Sequence, residues 1–175
     1  MMDIQNSSHI GYWFNNVSPY NRVAMREAYS ELSRQQRPTA LLTLTVKEPN
    51  SPHAKWQVPD STLLRNVNKL LYWVNIKMFG GKFMKKGLGL MGFGCIEKQA
   101  NYQPHVHMAI TSGVPLEKFF EFQNVVFEKA QKISLFDKSG IDLQSITASD
   151  ADYTRVGDYL AKGGRMLMLG ADGLY

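Results

Sequence analysis

The run Gln103-Pro104-His105-Val106-His107-Met108-Ala109-Ile110 limits what this chain can become more than any other stretch. On a strand, successive side chains leave opposite faces, so His105 and His107 emerge together while Val106, Met108 and Ile110 point the other way. One face is thereby committed to a core and the other to paired imidazoles. Two imidazoles one strand repeat apart can hold a single metal ion. The plainer alternative is an exposed strand face that happens to carry two histidines, and the rest of the chain must decide between them.

Residues 92–98 form a second strand-like run, and the polar connection 99–103 is short enough for an antiparallel hairpin. Folding that hairpin symmetrically about Asn101 sets Glu97 across from His105 and Cys95 across from His107. Directly opposed residues have Cβ atoms about 4.5–5.5 Å apart, so a carboxylate at 97 reaches an ion held by the histidines. A slip of one residue would turn Glu97 to the wrong face, where it would be an ordinary exposed strand carboxylate. Two histidines and a carboxylate leave coordination positions open, which suits Mg²⁺ or Mn²⁺ bound to water and a phosphate oxygen. Cys95 is placed as a small packed side chain, with a ligand role as the alternative.

The remaining chain reads as one α+β domain over residues 1–175. Residues 1–17 show no sustained period. Ser18-Pro19 opens a helix to about Gln36, which Pro38 stops. Residues 40–46 alternate as a half-buried strand, with Leu42, Leu44 and Val46 on one face and Thr43 and Thr45 on the other. After a loop over 48–58, Asp60 or Ser61 caps a helix to Phe79 with the stripe Leu63, Val67, Leu70, Leu71, Val74 and Met78, ended by Gly80-Gly81. Pro115 opens another helix with the stripe Leu116, Phe119, Phe120, Phe127, Ala130 and Ile133. Residues 137–140 read as a turn, 141–147 as a strand, and Ser149 or Asp150 caps a last helix to about Lys162. The tail 165–175 is poorly defined. Strand, helix, hairpin, helix and strand make the split βαβ pattern, so a ferredoxin-like antiparallel sheet flanked by helices is expected.

No apolar run approaches the roughly 20 residues of a membrane span, and the polar start lacks a signal-peptide core. Cys95 is the only cysteine, which excludes an intramolecular disulfide framework and a thiolate zinc cluster and points to a reducing, cytoplasmic setting. A net charge of +5 favours a polyanionic partner, and Lys82, Lys85 and Lys86 crowd one Gly-rich stretch.

Tyr159-Leu160-Ala161-Lys162 puts a phenol and an ammonium on neighbouring positions of the last helix. Tyrosine can form a covalent intermediate, and nearby positive charge stabilises its attack on a phosphate. As a bare pair, the two are a core-edge tyrosine and a solvated lysine.

Three stretches in order resemble the rolling-circle replication initiators of the HUH endonuclease superfamily. These are Leu42-Thr43-Leu44-Thr45, then His105-Val106-His107 with Glu97 before it, then Tyr159-Leu160-Ala161-Lys162. They span most of the chain. The resemblance implies nicking of single-stranded DNA, or of a strand exposed in an origin hairpin, through a 5′-phosphotyrosine with a free 3′ hydroxyl. It implies Glu97, His105 and His107 as ligands of Mn²⁺ or Mg²⁺, Tyr159 as nucleophile and Lys162 as its helper. The expected DNA contacts are Thr43, Thr45, Lys82, Lys85, Lys86 and Arg155.

Phage-type initiators of the superfamily carry a second tyrosine four residues on, where this chain has Gly163, so a single-tyrosine enzyme is expected; Tyr153 is a weaker candidate for a second nucleophile. No Walker-type phosphate loop is present, so a helicase would be a host or fused partner. A viral source in a eukaryote would move the setting to the host nucleus. The alternatives are a single-tyrosine transposase, a non-catalytic ferredoxin-like nucleic-acid-binding module that stacks bases on sheet aromatics, and a histidine-based nucleotide hydrolase. His9 and His53 give the last little support.

Overall fold

The computed structural model describes residues 22–48, 58–98, 104–111, 114–163 and 166–169. Segment 1–17, the helix start at Ser18-Pro19, His9, His53 and the connection 99–103 lie outside them.

The elements follow in the order α1 (Arg22–Gln36), β1 (Ala40–Val46), α2 (Asp60–Phe79), β2 (Met91–Lys98), β3 (Pro104–Thr111), α3 (Phe119–Ala130), β4 (Phe136–Ser145), α4 (Asp150–Leu160) and β5 (Met166–Leu169). The strands form one antiparallel sheet in the order β4-β1-β3-β2-β5. The first four strands are the split βαβ arrangement expected from the sequence: β3 lies between β1 and β2, and β1 lies between β4 and β3. Among the described residues no helix is long and apolar enough to cross a membrane.

Alternation along the strands divides the core in two. Leu42, Leu44 and Val46 of β1 and Val106, Met108 and Ile110 of β3 face α2 and α3, where Leu63, Val67, Leu70, Val74, Phe122 and Val126 cover them. Each such side chain contributes about 1.5–3 kcal/mol when fully buried. The opposite sheet face carries Phe93, Cys95 and Ala109, buried under Met25 and Tyr29 of α1 and Tyr153, Val156 and Leu160 of α4. The hydroxyl of Tyr29 donates to the Gly94 carbonyl at 2.8 Å, pinning α1 to β2. Helices α1 and α4 meet closely at Gly157, where a Cβ would stand 2.1 Å from Ser30 Oγ and 2.7 Å from its backbone nitrogen. Arg26 with Asp158, and Arg34 with Asp150 at 3.8 Å, close the rim of that contact.

Several expectations need correction. Pro59 is the cap of α2 and makes no side-chain cap bond; Asp60 is already in the first turn, where its charge suits the helix dipole. Phe120 is 72% exposed and Phe122 is buried in its stead, because the face of α3 that meets the sheet runs through Phe122, Val125, Val126 and Ala130. Residues 137–140 belong to β4, held against β1 across a register shift between Leu44 and Val46. In the tail, Met166–Leu169 is a strand that covers the edge of β2. The cap at Ser149 is as expected, its side chain accepting from the Asp152 N–H.

Candidate active site

On the sheet face that α1 and α4 cover, two rows of side chains cross the strands, beginning at the buried Cys95. Asp142, Thr43, His107 and Cys95 are paired in one row, and Thr45, His105 and Glu97 in the next. The register of β2 on β3 is the symmetric one, with Glu97 opposite His105 and Cys95 opposite His107. Tyr159 on the last turn of α4 overhangs these rows.

The imidazoles of His105 and His107 are stacked with centroids 6.2 Å apart. Each is held at Nδ1 by a threonine hydroxyl of β1: Thr43 Oγ1 is 3.1 Å from His107 and Thr45 Oγ1 is 3.2 Å from His105. Nε2 of His107 lies 3.0 Å from Glu97 Oε2, so the carboxylate reaches past its directly opposed neighbour to the next histidine. Burial lowers the pKa of both histidines, with Glu97 opposing the shift at each. Both imidazoles are therefore neutral near pH 7, the form a metal requires. Cys95 is fully buried, and burial first and Glu97 second push its thiol up to about 12, so it is a packed side chain with no reactive thiolate.

The ring of Tyr159 meets His107 edge-on, with centroids 4.7 Å apart. The ammonium of Lys162 lies 4.7 Å from the centroid of the same ring, a cation–π contact. Tyr153 is buried in the α1–α4 core, away from this role. At Gly163 a Cβ would stand 2.5 Å from Cys95 Sγ and 3.0 Å from the Ile96 carbonyl. The position four residues after Tyr159 therefore lies against β2 with no room for any side chain.

The residues expected to hold a metal can be tested against this arrangement. The two Nδ1 atoms are engaged by the threonines, so an ion would have to use the Nε2 atoms, and that of His107 is already bonded to Glu97, whose side chain is 30% exposed. Imidazole nitrogen with one carboxylate is a donor set suited to a divalent ion with open positions. Among the described residues no group of three or more His, Cys, Asp or Glu side chains is arranged so that it could hold a metal ion. Here Glu97 bonds to Nε2 of His107 itself, so loading an ion requires that bond to open.

The expected DNA contacts divide. Thr43 and Thr45 turn their hydroxyls to the histidines. Arg155 is exposed one helical turn before Tyr159 and pairs with Asp152 at 2.7 Å. Lys82, Lys85 and Lys86 are exposed in the segment that leads into β2 at Met91, the opposite end of that strand from Glu97. The site and the lysine cluster are not brought together. Sequence reasoning missed the threonine–histidine pairs; the matching two-residue repeats Thr43/Thr45 and His105/His107 were the available signal once β1 and β3 are set side by side. It also missed Asp142, exposed beside Thr43, because that neighbourhood depends on β4 pairing with β1 rather than on either segment alone.

No family model, curated protein or solved structure matches the chain.

Proposed function

We propose that this chain is a divalent-metal-dependent endonuclease and strand transferase for single-stranded or origin-hairpin DNA, a single-tyrosine replication initiator of the HUH endonuclease kind. The observation that carries the reading is the edge contact of Tyr159 on His107 at 4.7 Å, which sets a phenol beside a histidine–carboxylate cluster. His105 and His107, through Nε2, and Glu97 would hold Mn²⁺ or Mg²⁺. When bound, such an ion draws charge from a non-bridging phosphate oxygen of the scissile group.

Tyr159 supplies the nucleophile. A bond forms from its phenolic oxygen to phosphorus as the bond from phosphorus to the 3′ oxygen breaks. The phenolic proton leaves to solvent and the departing 3′ oxygen takes one up, giving a 5′-phosphotyrosine and a 3′ hydroxyl. The reverse step rejoins strands. Lys162, whose ammonium stands against the tyrosine ring, would supply positive charge as the phosphate gains charge in the transition state. Arg155, Lys82, Lys85 and Lys86 serve as phosphate contacts along the bound strand.

A non-catalytic base-stacking module is the weaker reading. It needs aromatics open on the sheet, and Phe93 lies buried under α1 and α4. The test is incubation with random single-stranded oligonucleotides and Mn²⁺, followed by denaturing gels. A covalent protein–DNA band that vanishes in Tyr159→Phe is expected. Cleavage without such a band would sink the covalent mechanism.

A further inference from the structure

We infer that Thr43 and Thr45 are positioning residues for the two histidines, each hydroxyl fixing Nδ1 so that Nε2 is presented for ligation. The inference rests on the proposed metal-dependent reading of the site. It assigns these threonines a role other than contact with DNA.

The geometry is duplicated. Thr43 is directly opposite His107 and Thr45 directly opposite His105 on neighbouring antiparallel strands, and both pairs close to hydrogen-bond distance, 3.1 and 3.2 Å. One such pair would be ordinary, but two in successive rows mean that neither ring can turn over without giving up a partner. His107 is 2% exposed and His105 8%, so water is poorly placed to replace the broken bond.

The choice of a hydroxyl has a chemical consequence. A neutral imidazole has one donor and one acceptor nitrogen. On His107, Nε2 faces the Glu97 carboxylate, which accepts, so the ring proton sits on Nε2 and Nδ1 accepts from the Thr43 hydroxyl. Ligation through Nε2 requires that proton on Nδ1 instead, where it is donated to the Thr43 oxygen. A hydroxyl serves both tautomers because it donates and accepts. A carbonyl or carboxylate at that place would serve only one and would leave a buried nitrogen unpaired in the other. Thr43 thus lets His107 pass between its bond to Glu97 and a ligating state without a broken hydrogen bond. Thr45 gives His105 the same orientation.

The test uses the full chain as wild type, Thr43→Val, Thr43→Ser and Thr45→Val, with thermal melts to check folding. Imidazole nitrogens are followed by NMR in the metal-free protein, and Mn²⁺ affinity by titration calorimetry. Wild type should show His107 with its proton on Nε2. Thr43→Val should change the His107 nitrogen signals and weaken Mn²⁺ binding about 10- to 100-fold, the usual effect of removing a group that orients a ligand. Thr43→Ser should restore both. Thr45→Val should do the same at His105, and it decides the matter if Thr43→Val fails to fold. Unchanged imidazole signals with unchanged Mn²⁺ affinity in the valine variants would overturn the inference. So would a serine variant that behaves like valine, since that assigns the effect to the methyl group. If wild type takes up no Mn²⁺, the metal reading fails on its own, and ligand positioning falls with it. The NMR arm then separates the two failures: altered signals in the valine variants keep the hydroxyls as orienting groups, and unaltered signals remove that role too.

Discussion

Gly157→Ala tests how the proposed nucleophile, Tyr159, is mounted. Inside a helix, alanine is ordinarily favoured over glycine by about 1 kcal/mol. At 157, however, the new methyl would stand 2.1 Å from Ser30 Oγ, 2.7 Å from Ser30 N and 2.9 Å from its Cα. The hydroxyl can rotate away, but the two backbone atoms move only if α1 and α4 separate. Overpacking of this kind costs roughly 1–3 kcal/mol, and two backbone contacts under 3 Å place it near the top of that range. The net expectation is destabilisation of about 2 kcal/mol. For a domain of this size that lowers Tm by about 4–8 °C. Tyr159 lies two residues along the same helix, so displacing α4 by about 1 Å also misplaces the phenol and slows adduct formation by up to about 100-fold. Thermal melts and a timed gel assay read the two effects. Adding Ser30→Ala removes the hydroxyl contact and leaves the backbone contacts, so it should not restore either. A Tm equal to or above wild type, or full rescue by Ser30→Ala, would refute the argument.

Tyr159→Phe should abolish the covalent adduct while changing oligonucleotide affinity by less than about 3-fold, since it removes one hydroxyl; a variant that still forms adduct would move the nucleophile elsewhere. His105→Ala and Glu97→Ala should each weaken Mn²⁺ binding in calorimetry, and an unchanged titration would remove that residue from the ligand set. Replacing Lys82, Lys85 and Lys86 together by alanine should flatten the salt dependence of DNA affinity by about 0.7 for each phosphate no longer neutralised, and an identical slope would exclude the cluster from the path of the strand. Cys95 should resist alkylation in the folded protein and react at the rate of unfolding, given its burial and raised thiol pKa; rapid labelling under native conditions would contradict that packing.

The legible parts of this chain are those fixed by local periodicity. The hairpin register that brings Glu97 to the histidines follows from a two-residue strand period and a short connection, and β2 and β3 pair that way. The stripe of α2 is readable because a long helix keeps phase over many turns. Phe120 is exposed against expectation because the face of α3 that meets the sheet is chosen by packing, and it runs through Phe122, Val125, Val126 and Ala130. The edge strand Met166–Leu169 is too short to show a period. Residues 137–140 carry turn-forming side chains and fill the irregular part of β4 between the pairs Val46–Phe136 and Leu44–Ile141, with Ser139 bonded to Asp137, so the local turn signal sits inside a strand. The bonds from Thr43 and Thr45 to the histidines depend on β1 lying beside β3, which is a property of the sheet order rather than of either segment.

Under the proposed chemistry, the fit of Gly163 against Cys95 and the Ile96 carbonyl limits how many DNA ends one copy could carry. A second tyrosine cannot be gained there by point substitution, because β2 would have to move and take Glu97 with it. Under the proposed chemistry each copy therefore holds a single covalent end. A full exchange of strands must then wait for the free 3′ end to return or borrow a tyrosine from another copy. Two-tyrosine descendants of such a chain would have to rebuild the turn after α4 before they could add the residue.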